Sequence, residues 1–113
     1  MADLLVDTDV FIDHLKGVER LPRRRGKLAY SIVTRAELFA GPEHQLPVAR
    51  RLLGSLDEIP IDRRIAERAG EIRRNAGIRL PDALIAATAL VHELPLRTRN
   101  RDDFRRVAGL RLR

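Results

Sequence analysis

The chain of 113 residues is 44% hydrophobic and 34% charged, a balance that excludes a disordered segment and fits one soluble globular domain, residues 1–113, with a single core. It has no cysteine, which removes disulfides and thiolate metal sites. No apolar run approaches the roughly 18–20 residues of a membrane span and no signal-peptide pattern is visible, so a cytoplasmic protein without membrane association is expected.

The net charge of +6 rests on 22 basic residues, of which only Lys16 and Lys27 are lysines. Such a chain admits a polyanionic partner, although arginine enrichment also accompanies GC-rich coding sequence. "DLLVD" (Asp3–Asp7) predicts a short buried strand, and "TDVFIDHLKG" a helix with Gly17 as its C′ residue. Asp7, Thr8 and Asp9 are all able to cap that helix, so two carboxylates after an apolar run have a structural reading as well as a chemical one. "RLPRRRGK" (Arg20–Lys27) is a polar connection, and "LAYSIV" (Leu28–Val33) a second strand. Thr34 followed three positions later by Glu37 has the spacing of a capping box for a helix "RAELFA".

Beyond "GPEHQLP", "VARRLLGSL" reads as a helix and "EIPI" as a short strand. "DRRIAERAGEIRRNAG" places Ile65, Ala69 and Ile72 on one stripe, with Gly77 beyond its end. "LPDALIAATALVHE" has Pro81 in its first turn and is apolar nearly all round from Ala83 to Val91, which predicts a central buried helix. "PLRT" is a strand, "NRDDFRRV" a turn with a short helix anchored by Phe104, and "GLRLR" a last strand. Strands alternating with helices imply an α/β fold with a mainly parallel sheet.

In such sheets ligands bind beyond the carboxyl ends of the strands. Asp7 and the Asn100–Asp103 turn both follow strands there, while Glu37 lies early in a helix and Asp82 at a helix start. Clustered carboxylates raise one another's pKa unless a cation neutralises them, and hard oxygen donors suit Mg²⁺ or Mn²⁺. Each acid has a plainer reading: Asp82 gains about 0.3–1 kcal/mol from the helix dipole, and Asp102 and Asp103 decorate a surface turn. His14, His44 and His92 lack ligand spacing and read as surface residues. No phosphate-binding glycine loop or nucleophile–histidine arrangement is present.

Four blocks in order, "LLVDTDVFID", "SIVTRAELFAG", "LPDALIAATAL" and "LRTRNRDDFRRVAGLRL", resemble PIN-domain ribonucleases, specifically VapC-type toxins of bacterial toxin–antitoxin pairs. The resemblance implies a PIN-like three-layer fold, a central parallel sheet flanked by helices. It places Asp7, Glu37 and Asp82 in the positions of the family's first three acids. The fourth acid varies in position, with Asp103 before Phe104 matching one placement and Asn100 another where many members carry Asp. Asp9 stands where Asn is usual, and the region around "GVERLPRRRGK" is shorter than in typical members.

By resemblance, then, the chain is a Mg²⁺- or Mn²⁺-dependent endoribonuclease and a hydrolase. Asp7, Glu37, Asp82 and Asp103 hold the metal, Thr98 and Asn100 orient the water or the phosphate, and Thr8 and Asp9 support Asp7. The partners implied are a VapB-type antitoxin whose tail brings an arginine to the acids, an RNA substrate and a second copy of the chain. Aromatic residues are only 4%, so a structured RNA such as a tRNA, read by backbone and shape, is expected over base stacking. Leu38 and Phe39 belong either to the core or to an antitoxin groove. Two other readings fit parts of the sequence. "LLVDTDVF" also fits a haloacid-dehalogenase-like phosphatase, which needs a downstream lysine, and the basic charge alone would serve a non-catalytic nucleic-acid-binding module.

Overall fold

The computed structural model describes residues 2–22 and 26–113, so Met1 and Arg23–Arg25, the middle of the expected polar connection, lie outside the described residues. The strands are β1 (Ala2–Val6), β2 (Lys27–Ser31), β3 (Asp57–Ile59) and β4 (Leu96–Arg97). The helices are α1 (Thr8–Leu15), α2 (Ile32–Phe39), α3 (Leu46–Gly54), α4 (Arg63–Ala76), α5 (Leu80–Val91) and α6 (Arg101–Phe104). Among the described residues the strands form one sheet in the order β3-β2-β1-β4, and every pairing is parallel.

Side chains alternate along a strand, so an apolar strand feeds both faces of its sheet. Leu4 and Val6 of β1 join Leu28, Tyr30, Phe11, Leu38 and Leu53 on the face covered by α1, α2 and α3. Leu5 points the other way, with Ala29, Leu96 and Phe104, against α4, α5 and α6. These are the three layers expected. Helix α5 is buried from Asp82 to Ala89 except at Leu84, and its alanines let α4 lie close along it through Ile65, Ala69 and Ile72.

Local chemistry sets the helix ends. Asp62 accepts the Ile65 N–H at 2.8 Å and caps α4. At the other end Gly77 takes φ +71°, a left-handed backbone that favours glycine, and its N–H bonds the Arg73 carbonyl. Helix α2 departs from expectation. Its cap is Ser31, whose hydroxyl accepts the Val33 N–H at 3.1 Å, so the helix begins at Ile32 and Thr34 lies inside it. Ile32 and Val33 favour a strand by propensity, but the serine cap turns the chain before they reach the sheet.

The last expected strand, Gly109–Arg113, is reduced to one bridge between Leu112 and Leu96. Strand β4 is two residues long and offers no longer ladder. His14, expected at the surface, is half-buried, and its Nδ1 accepts the Leu21 N–H at 3.1 Å. No helix of the described residues is long and apolar enough to cross a membrane.

Phe104 is fully buried and fixes the turn carrying Asn100 and Asp103 to the core. Phe104→Ala should lower stability by about 3–5 kcal/mol in urea denaturation. A loss below about 1 kcal/mol would show that the turn is anchored elsewhere.

Candidate active site

The chain runs β1, β2, β3 in one direction across the sheet and then returns to place β4 on the other side of β1. The carboxyl ends of β1 and β4 thus flank a topological switch point, where α/β sheets bind ligands. Asp7 follows β1 and Thr98 follows β4, and the Asp7 N–H bonds the Arg97 carbonyl at 2.9 Å.

Asp7 has both of its sequence readings at once. Its Oδ1 accepts the Thr8 N–H at 2.8 Å and caps α1, while Oδ2 accepts the Thr98 hydroxyl at 2.8 Å. Thr98 in turn accepts the Asn100 N–H at 2.9 Å, so a turn of known sequence order is tied to the first strand by a short relay. Burial first, and then the charge of Asp9, push the Asp7 carboxyl up to about 7, with Asp82 adding to the rise. Asp9 itself accepts the Arg99 N–H at 3.3 Å.

Glu37 is held from α1. The Thr8 hydroxyl donates to Glu37 Oε1 at 2.6 Å, and since that proton is then committed, Thr34 donates to Thr8 Oγ1 at 2.9 Å. The Thr34–Glu37 spacing therefore serves the site rather than a capping box. Asp82, in the first turn of α5, is 7% exposed, and its Oδ2 has no hydrogen bond. Arg79 comes to 3.6 Å, beyond hydrogen-bond length. Burial raises the Asp82 pKa, Arg79 opposes the rise, and Glu37 and Asp103 add to it.

In the last turn, Asp103 Oδ2 accepts the Asn100 amide at 2.9 Å, and Oδ1 accepts Arg106 at 2.8 Å. Asn100 and then Arg106 hold the Asp103 carboxyl below its usual range. The adjacent Asp102 is 95% exposed and bonded to Arg105. Asp7, Glu37, Asp82, Asp103, Thr98 and Asn100 thus lie along one edge. Asp7 feels Asp82, and Asp82 feels Glu37 and Asp103.

Among the described residues, no three carboxylate or imidazole groups converge closely enough to chelate a metal as they stand. The donor chemistry still fits a hard divalent cation. Mg²⁺ is held by one or two carboxylates and keeps several waters. Here one buried carboxylate oxygen has no hydrogen bond, and burial first, then the charge of Asp9, raises another acid to about 7.

Sequence reasoning overlooked Asp13. It is 5% exposed and pairs with Arg99 Nε at 3.1 Å. The signal was its spacing: four residues beyond Asp9, it shares that residue's face of α1.

Residues 4–110 match the PIN domain family. The chain is 41% identical over 109 residues to ribonuclease VapC10 of Mycobacterium tuberculosis, covering 86% of this chain and 82% of that protein. It is 30% identical over 127 aligned positions to the tRNA(fMet)-specific endonuclease VapC of Shigella flexneri, covering 98% and 96%. A toxin–antitoxin complex from Klebsiella pneumoniae contains a chain with 35% identity and a TM-score of 0.77, over 95% of this chain and 92% of that one.

The raised Asp7 pKa has a sign that stability measurements can read. In the unfolded chain Asp7 titrates near 3.8, and in the folded protein at about 7. Folding therefore favours the protonated acid, and Asp7's contribution to stability declines as pH rises from about 4 to 7. Above that range the charged carboxylate costs on the order of 4 kcal/mol. In chelator, Asp7→Asn should melt higher than the wild type at pH 8, with the gap closing toward pH 4. Equal melting temperatures throughout would mean that Asp7 carries no such cost.

Proposed function

This chain belongs to the PIN-domain family, and on that premise we propose that it is a divalent-metal-dependent endoribonuclease, the toxin of a VapBC-type toxin–antitoxin pair. The observation that carries the proposal is the buried Asp82 Oδ2, which has no hydrogen bond and only the exposed Arg79 at 3.6 Å to oppose the charges of Glu37, Asp103 and Asp7. An acid left that way in a protein interior calls for a cation. The haloacid-dehalogenase reading falls with family membership, and Lys27, one of the two lysines available to it, pairs with Asp57 at the start of β3.

Asp7, Glu37, Asp82 and Asp103 would hold Mg²⁺ or Mn²⁺, whose chemistry is to acidify water and to withdraw charge from a phosphate. Thr98 keeps Asp7 Oδ2 oriented, and Asn100 holds Asp103 through its amide. Thr8 fixes Glu37 from the first turn of α1. The reaction is hydrolysis: water adds to phosphorus, the 3′-oxygen leaves, and the products carry a 5′-phosphate and a 3′-hydroxyl. Arginines around the edge balance the phosphates. With so few aromatic residues to stack bases, a folded RNA such as a tRNA, the substrate class named for the Shigella flexneri relative, suits this surface. On this reading it acts in the cytoplasm, as a homodimer with a cognate VapB-type antitoxin.

Purified protein should cleave bacterial tRNA in Mg²⁺ or Mn²⁺ and stop in chelator. Asp7→Asn and Asp82→Asn should each lose activity by at least about 100-fold without a fall in melting temperature. Asp82→Asn retaining cleavage but losing stability would reduce Asp82 to a helix-dipole charge. Asp103→Asn should raise the metal concentration for half-maximal rate, whereas Asp102→Asn stays near wild type. The reverse pattern would move the fourth acid to Asp102. Expressed alone, the chain should arrest growth, and the gene immediately upstream should relieve the arrest.

The antitoxin tail has a path to the acids. A groove of about 240 Å³, lined by Ile12, Leu15, Leu38 and Ala49, has Glu37 in its wall. Leu38 itself is core, and Phe39 lies under the Arg35 and Arg50 guanidiniums. A tail seated there brings its arginine to the carboxylates in place of the metal. Rising Mg²⁺ should weaken antitoxin binding in a titration, and constant affinity would count against occlusion.

A further inference from the structure

Beside the acids lies a second cleft of about 230 Å³ that shares the Thr98 wall with them and is lined by Asp13, Arg20, Arg97, Arg99 and Arg101. Its charge is uneven. Arg97 is only 3.9 Å from Glu19, and Arg20 and Arg101 have no ion pair among the described residues. Arg99 is different, because the buried Asp13 carboxylate holds its Nε at 3.1 Å. A guanidinium paired on its Nε side leaves both terminal amino groups unpaired, in the fork geometry that matches a phosphate.

No aromatic ring lines the cleft, so it has nothing on which to stack a base. Its volume also falls short of the roughly 300–1,000 Å³ of small-molecule pockets. Adjacent to the site where a phosphodiester would be cut, we propose that this cleft binds the neighbouring phosphate of the same RNA strand. Arg99 and Arg101 are its direct contacts, and Asp13 is the positioning residue that aims Arg99. The inference rests on the ribonuclease reading and adds to it a second phosphate subsite, which fixes the strand on one side of the cut.

The test uses the Asp7→Asn protein, which leaves RNA intact, and a fluorescent oligouridylate titrated at several salt concentrations. In that background Arg99→Ala and Arg101→Ala should each weaken binding about tenfold and flatten the logarithmic salt slope by about 0.7, the value of one lost phosphate contact on a single strand. Arg64→Ala removes the same charge beside Leu90 and Val91, at the opposite end of α5 from Asp82, and should change affinity less than about twofold.

Arg99→Lys keeps the charge but loses the fork, and should bind nearly as weakly as Arg99→Ala. Asp13→Asn makes the cleft more positive. It should still weaken binding about threefold, because Arg99 is no longer aimed. Tighter binding by that variant would overturn the positioning role. Equal losses in Arg64→Ala and Arg99→Ala would reduce the cleft to general charge. If Arg99→Ala weakens polyglutamate but spares oligouridylate, the cleft serves an acidic peptide and the proposal fails. Failure of the ribonuclease reading shows separately, as wild-type protein that leaves tRNA uncut.

Discussion

The Asp7 carboxylate divides its two oxygens between two tasks, and the edge of the sheet is organised around that division. Oδ1 closes the first turn of α1, which orients Thr8 and through it Glu37. Oδ2 reaches Thr98 and draws the β4 end, with Asn100 behind it, against β1. Without this one group the helix would lose its cap and Thr98 its side-chain bond to Asp7, leaving the Asp7 N–H on the Arg97 carbonyl and the Arg99 N–H on Asp9. A residue that acts as both cap and acid makes local folding and site assembly the same event.

The donors on Asp7, Glu37 and Asp103 are mostly neutral: a backbone N–H, two threonine hydroxyls and an asparagine amide. They orient carboxylates without cancelling their charge. Cations are kept at the margin, with Arg79 largely exposed beside Asp82 and Arg106 on the outer oxygen of Asp103. The edge therefore stays electronegative inside a chain whose net charge is +6. Internal arginine pairs at Asp7 or Asp82 would satisfy the acids and leave nothing for a metal to do.

Much of this was legible in the sequence for physical reasons. The all-apolar run from Ala83 to Val91 has room only in the middle of a fold, and Asp62 with Gly77 frames α4 by cap chemistry alone. The acids were legible through strand ends and family blocks, since position after a strand predicts the carboxyl edge. Other features were decided by tertiary contacts. Thr34 looked like a cap because Ile32 and Val33 look like strand, and only the structure shows Ser31 turning the chain first. The alternation in Gly109–Arg113 promised a strand, but β4 was too short to receive it. Asp13 gave only its spacing from Asp9 as a signal, because its partner Arg99 is remote in sequence.

That remoteness has a consequence for the life of the chain on the ribosome. Asp7 and its partner Thr98 are separated by 91 positions, and β1 sits between β2 and β4 with one side open until β4 arrives. At about 5–20 residues per second, translation supplies the second half of this junction on the order of 5–20 s after the first. Until then α1 carries its cap, but the acids lack the wall formed by Thr98 and Asn100. Until translation reaches Thr98, Asp7 Oδ2 has no hydroxyl to accept and the acidic edge is incomplete. The interval also gives a partner already in the cell time to be present when the edge closes.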